Sequence, residues 1–270
     1  MGAIANLGAR TLARTAAFGD FCRFTGQTLS MLREGLTGWK NVRRLLPQLY
    51  QIGTESLPVV MITGAFVGMV LAMQTVVQFK GIGRDDVLGT VVILSNLREL
   101  GPVLAGVMLS GRVGGGLTAE IGTMRVTEQL DALRAMGASP IRVLVVPRFL
   151  ACVLLIPILV LYADFVGVLG GYVVSVLVYG INGSEFWAQE GRVTQFDIFY
   201  GPLKSVFFGA MIGLVCCYKG FRCKPGAAGV GRACTESFVA SCMSVLAVNF
   251  FLGMLFNTIR DYISGPRLML

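Results

Sequence analysis

The chain has 270 residues, 54% of them hydrophobic and only 14% charged, with a mean hydropathy of +0.71. Soluble domains carry about 25% charged residues, so a soluble globular protein and a disordered chain are both excluded, leaving an integral membrane protein. The charge is unbalanced, 23 Lys+Arg against 15 Asp+Glu, which in a membrane chain points to basic cytoplasmic loops before nucleic acid, and no nucleic-acid partner is expected.

In chain order, an Ala-rich stretch behind Arg10 and Arg14 is cut short by Asp20 and Arg23, which does not read as a cleavable signal peptide. Over 18–49, Leu29, Leu32, Leu36, Trp39, Val42, Leu46 and Leu49 recur at steps of three or four, with Arg33, Lys40, Arg43 and Arg44 between them. This predicts an amphipathic helix on the cytoplasmic membrane surface. Five apolar runs follow, at 56–79, 87–111, 149–184, 198–218 and 237–259. Each is long enough to cross a hydrocarbon core of about 30 Å. The run at 149–184 could be one long helix or a tight pair. Read as one helix, it leaves 1–54, 112–148 and 219–232 inside, holding 7, 5 and 4 of the 23 basic residues. A pair would put the acid-free group Lys219, Arg222, Lys224 and Arg232 outside, against the usual bias. The fold expected is therefore an all-α membrane protein with a cytoplasmic interfacial region (1–54), five transmembrane helices (55–260) and a short periplasmic tail (261–270).

GxxxG occurs four times, at Gly64/Gly68, Gly111/Gly115, Gly167/Gly171 and Gly209/Gly213. About 4.5 are expected by chance from 35 glycines in 270 residues, so the count specifies no dimer seam. GRVGGG at 111–116 lacks the Lys-Ser/Thr of a phosphate loop and reads as small-residue packing at a helix end. No histidine is present, which removes His-based catalysis and His-containing metal sites. No metal site or cofactor is expected in this chain. Cys152, Cys216, Cys217 and Cys242 lie in or beside apolar runs and no CxxC occurs, so the cysteines read as small buried hydrophobes.

Between the second and third runs, Thr127 opens a short helix with Glu128 and Asp131 on its first turn and Leu130 and Leu133 on one side; Gly137 ends it and Pro140 follows. It suits either a coupling helix docked into a soluble partner or a loop helix lying against the membrane.

The block RELGPVLAGVMLSGRVGGGLTAEIGTMRVTEQLDALRAMGASPIRVLVVPR, residues 98–148, closely resembles the signature of the MlaE/YrbE family, the permeases of Mla- and Mce-type ABC lipid transporters. The likeness is collinear over roughly residues 40–260. It implies a homodimeric permease of the bacterial inner membrane that moves phospholipids or related lipids to or from the outer envelope. It also implies two copies of a cytoplasmic ATPase that binds the ATP and Mg, a periplasmic MCE-domain protein and, in some systems, a small STAS-domain protein. On this resemblance the short helix is the coupling helix. Thr127, Glu128, Gln129, Leu130, Asp131, Ala132 and Leu133 are then the ATPase contacts, the leucines filling a groove and the acids meeting its rim.

Arg98, Glu99, Asp164 and Lys204 fall within the apolar runs, where a charge costs about 2.5–3.5 kcal/mol at mid-bilayer. One reading makes them a lipid path, with Lys204 or Arg98 meeting phosphate, Glu99 tuning the site and 56–79 supplying an apolar chamber at the dimer centre. The other is a structural ion-pair network between helices. The competing function is a stand-alone channel or secondary transporter with these charges as its path. A lipid-modifying enzyme lacks any visible nucleophile or acid–base pair, and no catalytic residue is expected. An amino-acid-type importer permease is a weaker variant, echoed by E-x-x-A-x(4)-G over 128–137.

Overall fold

The computed structural model describes residues 2–36, 39–80, 88–187 and 193–264. Every element among them is helical: α1 (Gly2–Leu36), α2 (Trp39–Lys80), α3 (Leu88–Ser95), α4 (Gly101–Val126), α5 (Gln129–Ala135), α6 (Val146–Val173), α7 (Gly183–Trp187), α8 (Gln195–Phe221) and α9 (Ala227–Ser264). Three π turns, Asn96–Leu100, Ile141–Val145 and Val174–Val178, join or extend these rods. The first makes α3 and α4 one helix over Leu88–Val126, and the other two lengthen α6 to Ile141–Val178. Among the described residues, five helices are long and apolar enough to cross a membrane: Arg43–Phe79, Leu88–Val126, Ile141–Val178, Phe196–Phe221 and Ala227–Arg260.

These match the five expected runs, and 149–184 holds one membrane-crossing helix rather than a pair. That helix ends at Gly180, whose φ of +69° takes the chain out of helical geometry. Two boundaries differ from expectation. Residues 112–126 are not cytoplasmic loop but a direct continuation of the second span, so GRVGGG lies inside a helix rather than at its end. Glycines weaken an isolated helix by about 1 kcal/mol each relative to alanine, but here they admit close neighbours. A Cβ on Gly114 would sit 2.7 Å from Cys216 Sγ, and one on Gly111 would meet Phe238 at 3.3 Å. The amphipathic stretch 18–49 is likewise divided. Its first part belongs to α1, which runs through Asp20 and Arg23 from Gly2, and its last part opens α2, which passes the expected boundary at 54/55 unbroken. The side chains of 33–42 and the tail residues 265–270 lie outside the described residues.

The core is a layer of spans in which α6 packs between α2 and α8, and α4 packs on α8 and α9. Val60, Leu109, Ile156, Phe208, Ile212 and Val245 meet in its centre, each at most 1% exposed. Two GxxxG pairs face each other inside the chain. A Cβ at Gly64 would lie 3.0 Å from Ala163 Cα, and one at Gly68 would run into the Gly167 carbonyl. Gly209 and Gly213 seat α8 against Cys152 and Phe149 of α6 in the same way. The small residues thus set an intrachain seam, where close backbone approach replaces the hydrophobic effect that lipid cannot supply.

Helix α1 crosses the ends of the bundle. Phe24 is buried among Ile121, Val145 and Cys217, and Asp20 pairs with Arg222 at 2.5 Å, while Leu12, Phe18 and Leu29 stay exposed.

Candidate functional site

Pro102 organises the first polar centre. It has no N–H to give the Arg98 carbonyl four residues before it, and the helix there widens into the π turn Asn96–Leu100, closed by Gly101 N–H on the Asn96 carbonyl. The orphaned Arg98 carbonyl accepts instead from Lys204 Nζ on α8 at 3.2 Å. The same ammonium donates to Glu99 Oε1 at 2.7 Å and lies 4.3 Å from the centre of the Tyr200 ring. Arg98 turns to Asp197, donating through Nε at 2.8 Å and through Nη2 at 2.5 Å to a single carboxylate oxygen. The other Asp197 oxygen accepts the Thr194 N–H at 2.9 Å, part of a capping box that starts α8. Asn249 of α9 donates to Glu99 Oε2 at 3.2 Å.

Of the four sequence-derived membrane charges, the structure brings together Arg98, Glu99 and Lys204. Adjacent Arg98 and Glu99 both reach α8 because Asp197 and Lys204 lie two turns apart on it, on one face. Lys204 is fully enclosed, with three partners for its three protons, so it does not present its charge to a headgroup as expected. The exposed edge of the cluster is Glu99, whose side chain is 44% accessible, followed by Arg98 at 26%. Sequence reasoning missed Asp197, Tyr200 and Asn249. Only Asp197 had a signal, the Thr194-x-x-Asp197 spacing of a helix start.

Asp164 stands apart from this cluster. It is 1% exposed, and neither carboxyl oxygen has a hydrogen-bond partner. The carboxyl lies in a notch over Gly101 and Gly201; a Cβ at Gly101 would collide with Oδ1, and one at Gly201 would come within 3.3 Å of Oδ2. Beside it opens an apolar cavity of about 740 Å³ walled by Ile93, Leu97, Phe165, Val168 and Trp187. No residue of 56–79 lines this cavity, so the expected apolar chamber is not this one.

A second polar cluster, not foreseen, ties three spans together near the other end of the bundle. Arg112 pairs with Glu55 at 2.5 Å, Arg148 pairs with Glu120 at 2.9 Å, and Gln51 donates to the remaining Glu120 oxygen at 2.7 Å.

Between the second and third spans the short helix forms, with a later start than expected. Thr127 still belongs to the end of α4, its hydroxyl donating to the Thr123 carbonyl at 2.9 Å. Glu128 makes the corner with φ 60°, and helix α5 begins at Gln129. At the far end the Ala138 N–H reaches the Leu133 carbonyl and the Gly137 N–H the Arg134 carbonyl, a Schellman closure around Gly137 at φ +73°. Leu130 is 0% exposed: it points into its own chain and is not free to fill a partner's groove. The apolar surface left outside is Met136, 73% exposed, next to half-buried Leu133. Thr127, Glu128, Gln129, Asp131 and Ala132 are exposed. Asp131 is held by Arg134 at 2.7 Å and Arg125 at 3.5 Å.

The charge cluster, this protruding helix and all of the spans but the first residues of the first and the last residues of the fifth lie within residues 45–255, which match the family described as Permease MlaE. The chain belongs to the MlaE permease family. It is a multi-pass membrane protein, and several of its relatives carry permease names. A "Probable ABC transporter permease protein" from Rickettsia felis is 41% identical over 256 residues, 94% of this chain and 97% of that protein. The "Intermembrane phospholipid transport system permease protein MlaE" of Haemophilus influenzae is 36% identical over 239 residues, 86% of this chain and 92% of that protein. In this MlaE-family permease, the family match takes in the Arg98–Lys204 cluster, Asp164 and α5 together.

Proposed function

We propose that this chain is the membrane subunit of an ATP-driven transporter that moves phospholipids or related lipids between the inner membrane and the outer envelope, working as a homodimer on a separate ATPase. The observation that carries the reading is the family match over 45–255, with a relative named for intermembrane phospholipid transport. ATP and Mg belong to two copies of the ATPase, which docks on the exposed face of Thr127, Glu128, Gln129, Asp131 and Ala132 together with Leu133 and Met136. A capped helix of seven residues, held out between two spans with a bare methionine, suits a soluble partner better than the chain's own packing. The N-terminus and α5 are cytoplasmic and the C-terminal tail periplasmic, with an MCE-domain protein on that side and a STAS-domain protein with the ATPase where one exists.

The exposed stripe Ile62, Phe66, Met73 and Val77 on α2 is apolar surface for the second copy or for lipid. Headgroups meet the open edge of the charge cluster at Glu99 and Arg98, backed by Lys204, and the cavity beside Asp164 is apolar room for acyl chain. A stand-alone channel is less suited to these residues, because Lys204 and Asp197 are closed onto partners rather than lining a path.

The test is purification of the tagged chain from its native membrane, with mass spectrometry of bound proteins and lipids. An ATPase in equal amount, with phospholipid, is expected. Solute flux through vesicles holding this chain alone, without ATP, would overturn the reading in favour of a channel.

A further inference from the structure

At the end of the bundle where α1 crosses, the turn from α8 into α9 encloses a pocket of about 210 Å³. Its walls carry Lys219, Arg222, Lys224 and Arg232 against one carboxylate, Glu236. Two of the cations are already engaged: Lys219 with Glu236 at 2.9 Å, and Arg222 with Asp20 of α1 at 2.5 Å while lying against the Tyr218 ring at 5.2 Å. Among the described residues, Lys224 and Arg232 make no ion pair of their own, so the pocket keeps two exposed positive charges turned to one space.

The backbone holds it in shape. Gly226, at φ +88°, turns the chain into α9, and a Cβ at Gly229 would collide with the Lys224 carbonyl, so the Lys224 loop lies against the first turn of α9. Tyr218 donates to the Ala17 carbonyl at 3.1 Å, which fixes α1 as the remaining wall. The pocket lies between the last turn of the fourth span, which ends at Phe221, and the first turns of the fifth, which begins at Ala227. In a helix pair that crosses a bilayer, a basic turn just beyond the apolar runs 198–218 and 237–259 stands beside the lipid headgroups.

We propose that this pocket binds a phosphate group, and that its source is the headgroup of an anionic phospholipid in the adjoining leaflet. A phosphodiester headgroup carries one negative charge, so two unneutralised cations leave a surplus positive charge that favours an anionic headgroup over a zwitterionic one, and basic pockets between helices at the membrane surface recognise such headgroups. The site is separate from the Arg98–Lys204 cluster and does not rest on the transport reading.

The test uses the full chain in nanodiscs of phosphatidylglycerol and phosphatidylcholine in equal parts, with retained lipid counted by native mass spectrometry after release. Wild type should keep phosphatidylglycerol in preference. Lys224→Gln with Arg232→Gln should lower that preference roughly thirty-fold, each cation near the surface contributing about 1 kcal/mol. Lys224→Arg, which keeps the charge, should hold the wild-type preference, and Glu236→Gln should raise it by freeing Lys219. In a second arm, inorganic phosphate is titrated against the protein in phosphatidylcholine alone. Phosphate binding that the double variant abolishes, without a phosphatidylglycerol preference, would keep the phosphate site and overturn the lipid as its source. Equal lipid retention in wild type and double variant, with no phosphate binding, would overturn the site.

Discussion

At the scale of single residues, the charges inside the bundle are explained by a missing hydrogen. Pro102 leaves the Arg98 carbonyl bare, Lys204 fills that vacancy, and the lysine's own charge is then met by Glu99. Removing the partner of a buried charge strands that charge, which typically costs about 3–5 kcal/mol, whereas removing both is far milder. Lys204 is the enclosed member and Glu99 the exposed one, so Glu99→Gln should lower the thermal midpoint of the purified protein sharply. Glu99→Gln combined with Lys204→Met should recover at least half of the loss. A double variant as unstable as the single one would mean that the pair is not the stabilising unit. The sequence exposed all four charges but not their roles. Arg98, Glu99 and Lys204 were legible as costly and in need of partners, while Asp197 and Asn249, which complete the cluster, lie 99 and 150 residues from Arg98 and Glu99 and are placed only by packing.

At the scale of elements, α5 separates burial from recognition. Leu130 faces inward, so Leu130→Ala should destabilise the fold by about 2–5 kcal/mol and act on ATPase binding only through that loss. Met136→Asp and Glu128→Lys, both on the exposed side, should leave the thermal midpoint unchanged yet reduce copurification of the ATPase. Glu128→Gly makes the distinction sharper. A non-glycine residue in the left-handed region costs roughly 1–2 kcal/mol, so glycine should stabilise the corner while removing the carboxylate from the proposed docking face. Full ATPase binding by Met136→Asp and Glu128→Lys together would end the assignment of α5 as the coupling helix. The expected start of this helix was off by two residues because Thr127 can serve either the helix before it or the one after it. Its bond to Thr123 belongs to the first.

At the scale of the whole molecule, orientation follows from where the basic residues collect. The turn between the fourth and fifth spans holds Lys219, Arg222, Lys224 and Arg232, and beyond the far end of the fifth span α9 carries Tyr262, 93% exposed. With native accessible thiols replaced by serine, a cysteine at 224 should resist a membrane-impermeant reagent applied from outside, and one at 262 should react. The opposite pattern would invert the molecule and move α5 away from any cytoplasmic ATPase. Glycines argue at this scale too. Residues 64, 68, 167 and 171 bring α2 and α6 into backbone contact within one chain, so Gly68→Leu should block folding of the single chain rather than only its pairing with a second copy.

Composition, run length and the placement of Lys and Arg were sufficient to establish a membrane chain of five long apolar helices, including one crossing rather than two at 149–184, because these depend on local hydropathy and on where the basic residues fall along the chain. The collinear block at 98–148 pointed to the family for a similar reason, being read residue by residue. Tertiary structure alone decided which way Leu130 faces, that GRVGGG continues a helix, that the GxxxG pairs close on one another, and that Lys204 is enclosed while Glu99 remains at the open edge. Each of those outcomes depends on a neighbour supplied from a distant part of the chain, and hydrophobic periodicity carries no information about which neighbour arrives.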